Sequence, residues 1–151
     1  MREPAPEKRL KQQAAGMSLE AMLADLPAFC DVGTKRNSQG YKTTWMGYQL
    51  HLDVADGMVP ISAIVTSASI HDSQLAIPLA TMSAQRVTHL YDLMDAGYCS
   101  SILREHSRSM RHVPLIEHNP RGGEKKRFDP SRGRALQRAH HGRARQHTAE
   151  G

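Results

Sequence analysis

The chain has 151 residues, 39% hydrophobic and 5% aromatic, with a net charge of +5, which suits one domain or part of one around a thin core. Its two cysteines, Cys30 and Cys99, form no CxxC pair, which excludes a disulfide scaffold and leaves a cysteine-based structural zinc site without support. No apolar run approaches the roughly 18 residues of a membrane span, and Met1 is followed by Arg2, Glu3 and Pro4 instead of an apolar stretch, so the expectation is a soluble protein of a reducing, cytoplasmic compartment with no membrane contact.

Residues 1–29 read as a linker and a short helix. Residues 2–16 are polar and charged, a linker or a frayed helix. Ser18 is a candidate N-cap for a helix whose apolar positions are Leu19, Met22, Leu23 and Leu26, and Pro27 stops it. Residues 30–42 form a polar loop carrying Lys35, Arg36 and Lys42. Tyr48, Leu50, Leu52 and Val54 alternate with Gln49, His51 and Asp53, the period of a strand with one polar, solvated face. Asp56-Gly57 is a hairpin turn signal, and Ile61, Ala63 and Val65 continue as the returning strand. Asp72 can cap a helix whose apolar side is Leu75, Ala76, Leu79 and Met82, with Pro78 limiting its regularity. Val87–Met94 reads as a third strand in the same sheet, closed by the turn Asp95-Ala96-Gly97-Tyr98. A helix follows near Ser101–Met110, and Val113–Ile116 is a fourth short strand. The order predicts an α/β fold: a mixed sheet in which a β-hairpin is followed by βαβ units, with disordered or poorly packed ends.

The charge is uneven along the chain. Residues 1–118 hold 11 Lys and Arg against 12 Asp and Glu, a net of −1, whereas residues 119–151 hold 9 against 3, a net of +6. Residues 121–151 therefore form a basic tail, either a nucleic-acid arm or a solvated segment without a partner. Its large apolar residues are Phe128 and Leu136, with no period of 2 or 3.6. His140, His141 and His147 lack carboxylate or cysteine partners at ligand spacing.

Asp95 is the first candidate for chemistry, because it ends an apolar strand just before a Gly-permitted turn, where α/β ligand sites gather. Asp53 and His51, on the polar face of the first hairpin strand, are secondary candidates. His71-Asp72 reads as a capping pair.

The stretch from Cys30 to Asn119, about 90 of 151 residues, resembles the DDE transposases of bacterial insertion sequences. CDVGTKRNSQGYKTTWMGYQLHLDVADGMVPISAIVTSASIHDSQLAIPLA, THLYDLMDAGY and REHSRSMRHVPLIEHNPR carry the resemblance, and Asp95–Tyr98 resembles the family's second catalytic motif. The resemblance implies a partial RNase H-like fold over residues 30–120, Asp95 as a catalytic and Mg²⁺-binding carboxylate, and DNA (transposon ends and target) as the partner. Three carboxylates would hold two Mg²⁺ ions about 3.5–4 Å apart for in-line phosphodiester displacement.

Two departures from the family pattern bear on activity. The family's first carboxylate lies on a strand upstream of a polar linker, and residues 2–29 read as that linker. Asp31 sits in the cationic loop and is not assigned the role. The third belongs to a helix with the pattern Tyr-x2-Arg-x3-Glu-x6-Lys, which is not found after Asp95; Glu117, Glu124 and Glu150 lack its flanking residues. Codons permitted for Leu136–Gly151, read one base later, yield that pattern in full, so the tail reads as out of frame after a shift near Pro130-Ser131. The expected function is DNA transposition by metal-dependent strand cleavage and transfer, with this chain a catalytically incomplete remnant. The alternative is a small non-enzymatic basic nucleic-acid-binding protein.

Overall fold

The computed structural model describes residues 6–37 and 39–117. The basic tail, with Leu136, His140, His141 and His147, and with Glu124 and Glu150, lies outside the described residues. The chain divides into two units, Met1–Asp53 with Pro60–Val87, and Val54–Val59 with Thr88–Gly151.

The first unit is built on a three-stranded sheet of order β1-β2-β3. β1 (Asp31–Arg36) runs antiparallel to β2 (Lys42–Ala55), with Asp31 opposite Gly47 and Arg36 opposite Lys42. The segment expected to be a polar loop is thus half strand. Its sequence lacks apolar alternation, and it is held by main-chain pairing to β2 and by the Asn37 side chain, which accepts from the N–H groups of Gln39 and Tyr41 at 3.1 and 2.9 Å. β3 (Val59–Ser67) is the other arm of the predicted hairpin. Met58 N–H donates to Ala55 O across the turn, and Gly57 supplies the positive φ of 79° that the turn needs.

Two helices precede the sheet. α1 (Pro6–Ala14) occupies the segment expected to be linker or frayed helix and buries Arg9, Leu10 and Gln13. Arg9 Nε donates to Asp25 Oδ2 at 2.8 Å, Arg9 also holds the Gln74 carboxamide, and Gln13 Nε2 donates to Gln74 O at 3.1 Å. α2 (Leu19–Ala24) starts where predicted, with Ser18 Oγ accepting from Ala21 N–H. After β3 a single 3₁₀ turn, Asp72–Leu75, leads into α3 (Ala76–Ala84). The cap of that turn is His71, whose ring accepts from Ser73 N–H, and not Asp72. Pro78 sits in the first turn of α3, where a missing N–H costs nothing. Leu26, Ile64, Ile70, Leu75 and Leu79 form the core, with Met82 against it, each fully buried side chain contributing about 1.5–3 kcal/mol.

The sheet faces run opposite to expectation. The inner face of β2 carries Trp45, Gly47, Gln49, His51 and Asp53, while Met46, Tyr48, Leu50, Leu52 and Val54 are exposed. Val32 from β1 and Val65 from β3 are exposed too. Alternation located the strand correctly but not its buried face, because the inner polar groups are satisfied by partners distant in sequence.

The second unit is a βαβ element. β4 (Tyr91–Met94) and β5 (Val113–Ile116) pair in parallel, Tyr91 opposite Val113 and Met94 opposite Ile116, and the connection carries a 3₁₀ turn (Ala96–Tyr98) and α4 (Ser101–Ser109). This pair is a two-stranded sheet of its own, which corrects the expectation of a third strand in the hairpin's sheet. Residues 87–90 are not strand. α4 buries Leu103 and Ser107, and β5 buries Pro114, Leu115 and Ile116. Arg111, at φ 64°, ends α4, with His112 N–H returning to Ser107 O and Arg111 N–H to Arg108 O, the paired bonds of a Schellman cap.

Candidate functional site

Asp95 follows the last residue of β4 and caps the 3₁₀ turn, its Oδ1 accepting from Gly97 N–H at 2.8 Å. The side chain is exposed, and that is its one hydrogen bond among the described residues. Gly97 tolerates this approach because a Cβ there would meet Asp95 Oδ1 at 3.0 Å. Parallel pairing brings a second acidic residue to the same edge: Glu117 N–H donates to Met94 O at 3.1 Å, so Glu117 leaves β5 where Asp95 leaves β4. The sequence alone could not pair residues 22 positions apart; the signal available was that both follow short apolar strands.

Below this edge Asp92 points to the buried side of β4. Its Oδ1 is 2.9 Å from His89 Nε2 and 3.2 Å from His112 Nδ1, and the two imidazole rings lie 4.1 Å apart between centroids. His106, from α4, is held below the usual histidine range, chiefly because burial disfavours its charged form; Asp92 opposes the shift and His112 adds to it. Sequence reasoning singled out none of these three histidines, nor Asp92.

In the first unit the other expected residues are engaged elsewhere. His51 is buried, not solvated. Its Nδ1 is 3.1 Å from Asp72 Oδ1 and its Nε2 is 2.9 Å from Thr66 Oγ1. Gln49 Nε2 donates to the same Asp72 oxygen at 2.6 Å. The His51 hydrogen bond, above all, holds the Asp72 carboxyl below its usual range, with burial opposing and the charges of His51, His71 and Lys35 assisting. Thr66, His51 and Asp72 thus have the connectivity of a hydroxyl–imidazole–carboxylate relay. Thr66 is 0% exposed, so no substrate reaches its hydroxyl, and the relay is a satisfied buried network. Asp53 likewise faces inward, where its Oδ2 accepts from Ser83 Oγ at 2.5 Å and Ser83 meets Ser62 at 2.9 Å. It is a tie between β2, β3 and α3, not a solvated strand residue.

Residues 27–149 match the family model of the transposase DDE domain. The chain belongs to that family. The match covers both described units from Pro27 onward and continues through residues 118–149, which lie outside the described residues. No curated protein and no solved structure matches this DDE domain. The family works with divalent metal ions, and no helix among the described residues is long and apolar enough to cross a membrane.

A divalent ion makes a specific demand on this DDE domain. Hard cations take oxygen donors, and an exposed carboxylate at a sheet's carboxyl edge fits that demand. Asp95 meets it, and Glu117 leaves the neighbouring strand at the same edge. Two ions held about 3.5–4 Å apart need ligands on both sides of the scissile phosphate. Among the described residues this edge carries Asp95 and Glu117.

Proposed function

We propose that this chain is the central part of a DNA transposase, with Asp95 as a catalytic, Mg²⁺-binding carboxylate, and that alone it is catalytically incomplete. The observation that carries the reading is the coincidence of the family match with an exposed aspartate at the carboxyl edge of a parallel strand pair. A hairpin followed by a βαβ element is compatible with an RNase H-like fold. The partner is DNA, as transposon ends and target, and a DNA substrate places the protein at the nucleoid.

Asp95 would hold the metal, with Glu117 as a further oxygen donor at that edge. Bound divalent ions supply electrophilic stabilisation to an in-line phosphodiester displacement. The chain's own contribution is to fix the carboxylate: the Gly97 N–H orients Asp95 Oδ1, and its other oxygen is left without a hydrogen bond among the described residues. The 3₁₀ turn keeps the backbone close behind it. The family match runs on through residues 118–149, so the out-of-frame reading of the tail rests on the codon argument, and sequencing the gene around Pro130-Ser131 decides it. The basic-tail alternative rests on the +6 charge of residues 119–151 and has no other support.

The test is incubation of the purified chain with DNA carrying the element's ends and Mg²⁺ or Mn²⁺, beside an Asp95→Ala control. No cleavage or strand transfer above background is expected. Cleavage that disappears in Asp95→Ala would show that the site is complete. Cleavage that Asp95→Ala leaves unchanged would remove Asp95 from the mechanism.

A further inference from the structure

We propose that His89, Asp92 and His112 form a second, nitrogen-rich metal site that takes a borderline divalent ion of the Zn²⁺ class and clips the start of β4 to the entry of β5. One donor atom from each residue lies within 4.8 Å of the others. Zinc bonds to imidazole nitrogen and carboxylate oxygen are about 2.0–2.2 Å, which sets donors roughly 3.3–3.5 Å apart around a tetrahedral ion. The observed separations from Asp92 Oδ1 are 2.9 Å to His89 and 3.2 Å to His112. These two separations need widen by only a few tenths of an ångström to reach the tetrahedral value, and the third lies within 4.8 Å.

The charge balance favours a cation there. Asp92 is 8% exposed, and a carboxylate out of water needs compensation. A divalent ion bound between the three side chains supplies two positive charges beside that carboxylate. The site is also built and accessible. The Schellman cap at Arg111 fixes the return of His112, and the His89 side chain, 27% exposed, leaves a path for the ion and a fourth ligand from water. His106 Nε2 is buried and has no hydrogen-bond partner among the described residues, so a polar atom without a partner sits in the same unit.

This site is separate in chemistry from the one at Asp95. Nitrogen donors select Zn²⁺, Co²⁺ or Ni²⁺ over Mg²⁺, and the ion here would be structural. The element joined is the βαβ unit that carries Asp95, so the clip would hold the loop from β4 to β5 closed.

The experiment is titration of the full chain with ZnCl₂ against a chromophoric chelator, repeated with CoCl₂ to read coordination from the visible absorption bands. Wild type is expected to take up one ion with the Co²⁺ spectrum of a tetrahedral site. His89→Gln and His112→Ala should each weaken that binding by more than about tenfold. Asp92→Asn should weaken it likewise, and where that variant fails to fold, His89→Gln at its partly exposed position carries the test. Excess MgCl₂ in the titration should leave zinc uptake at the nitrogen donors unchanged while occupying the carboxylates at the edge of β4, which separates failure of this proposal from failure of the transposase reading. Binding unaffected by both histidine variants, or lost only when His140, His141 and His147 are all changed to Ala, would overturn the proposal. So would absence of zinc uptake.

Discussion

Gly33→Ala should destabilise the first unit by crowding Trp45 and Ala68. Gly33 lies opposite Trp45 in the β1–β2 register. A Cβ built at Gly33 would stand 2.5 Å from Trp45 Cζ2, 2.6 Å from Cε2 and 2.8 Å from Ala68 Cβ. Ordinary carbon contacts are about 3.5–4.0 Å, so the indole must retreat by roughly 1 Å while Ala68 holds the other side. Overpacking of this kind costs about 1–3 kcal/mol. The loss of chain freedom in the unfolded state returns about 0.4–1 kcal/mol to Ala at a position with ordinary φ. The net expectation is a loss of about 1–2 kcal/mol, or a drop in Tm on the order of 5–15 °C for a unit of this size. Trp45 is the single tryptophan of the chain, so its fluorescence reports both the site and the transition in urea or heat. In a Trp45→Leu background, followed by circular dichroism, Gly33→Ala should cost much less, since the indole edge is gone. Unchanged stability and emission in Gly33→Ala would refute the reasoning, as would an equal loss in the Trp45→Leu background.

Two further outcomes follow from the same structure. The Asp72 carboxyl is held below its ordinary range, so the folded state binds fewer protons than the unfolded one as the pH falls; its contribution to stability is present above about pH 4 and is lost as the pH drops through the folded value. Acid titration of urea midpoints should show that loss in wild type and less of it in Asp72→Asn. The exposed apolar face of Met46, Tyr48, Leu50, Leu52 and Val54 should drive concentration-dependent association, visible by light scattering or sedimentation. Leu50→Thr with Leu52→Thr should reduce it while keeping the strand, and association that persists unchanged would show that another surface is responsible.

The residues show why some of this was legible in the sequence and some was not. The β2–β3 hairpin could be read because alternation and Asp56-Gly57 are local signals. Its buried face could not, since Gln49, His51 and Asp53 are satisfied by Asp72, Thr66 and Ser83, partners 15 to 30 positions away. β1 has no apolar pattern and owes its form to β2. α1 could be read only as a linker or a frayed helix, and not as a packed one, because two of its three buried residues are Arg9 and Gln13, which read as surface until Asp25 and Gln74 are found beside them. Asp95 was legible as the end of a strand before a glycine turn. Glu117 beside it, and the His89–Asp92–His112 cluster, exist only through the parallel pairing of β4 with β5 and the cap after α4.

The proposed function requires Asp95 to take a divalent ion at the carboxyl edge of β4. Paramagnetic broadening by Mn²⁺, read at the Gly97 amide that donates to Asp95 Oδ1, tests it most directly. Selective loss of the Gly97 and neighbouring Ala96 amide signals is expected at low Mn²⁺ concentration, competed by Mg²⁺ and absent in Asp95→Asn. Broadening that is absent at Gly97, or that survives in Asp95→Asn, would contradict it.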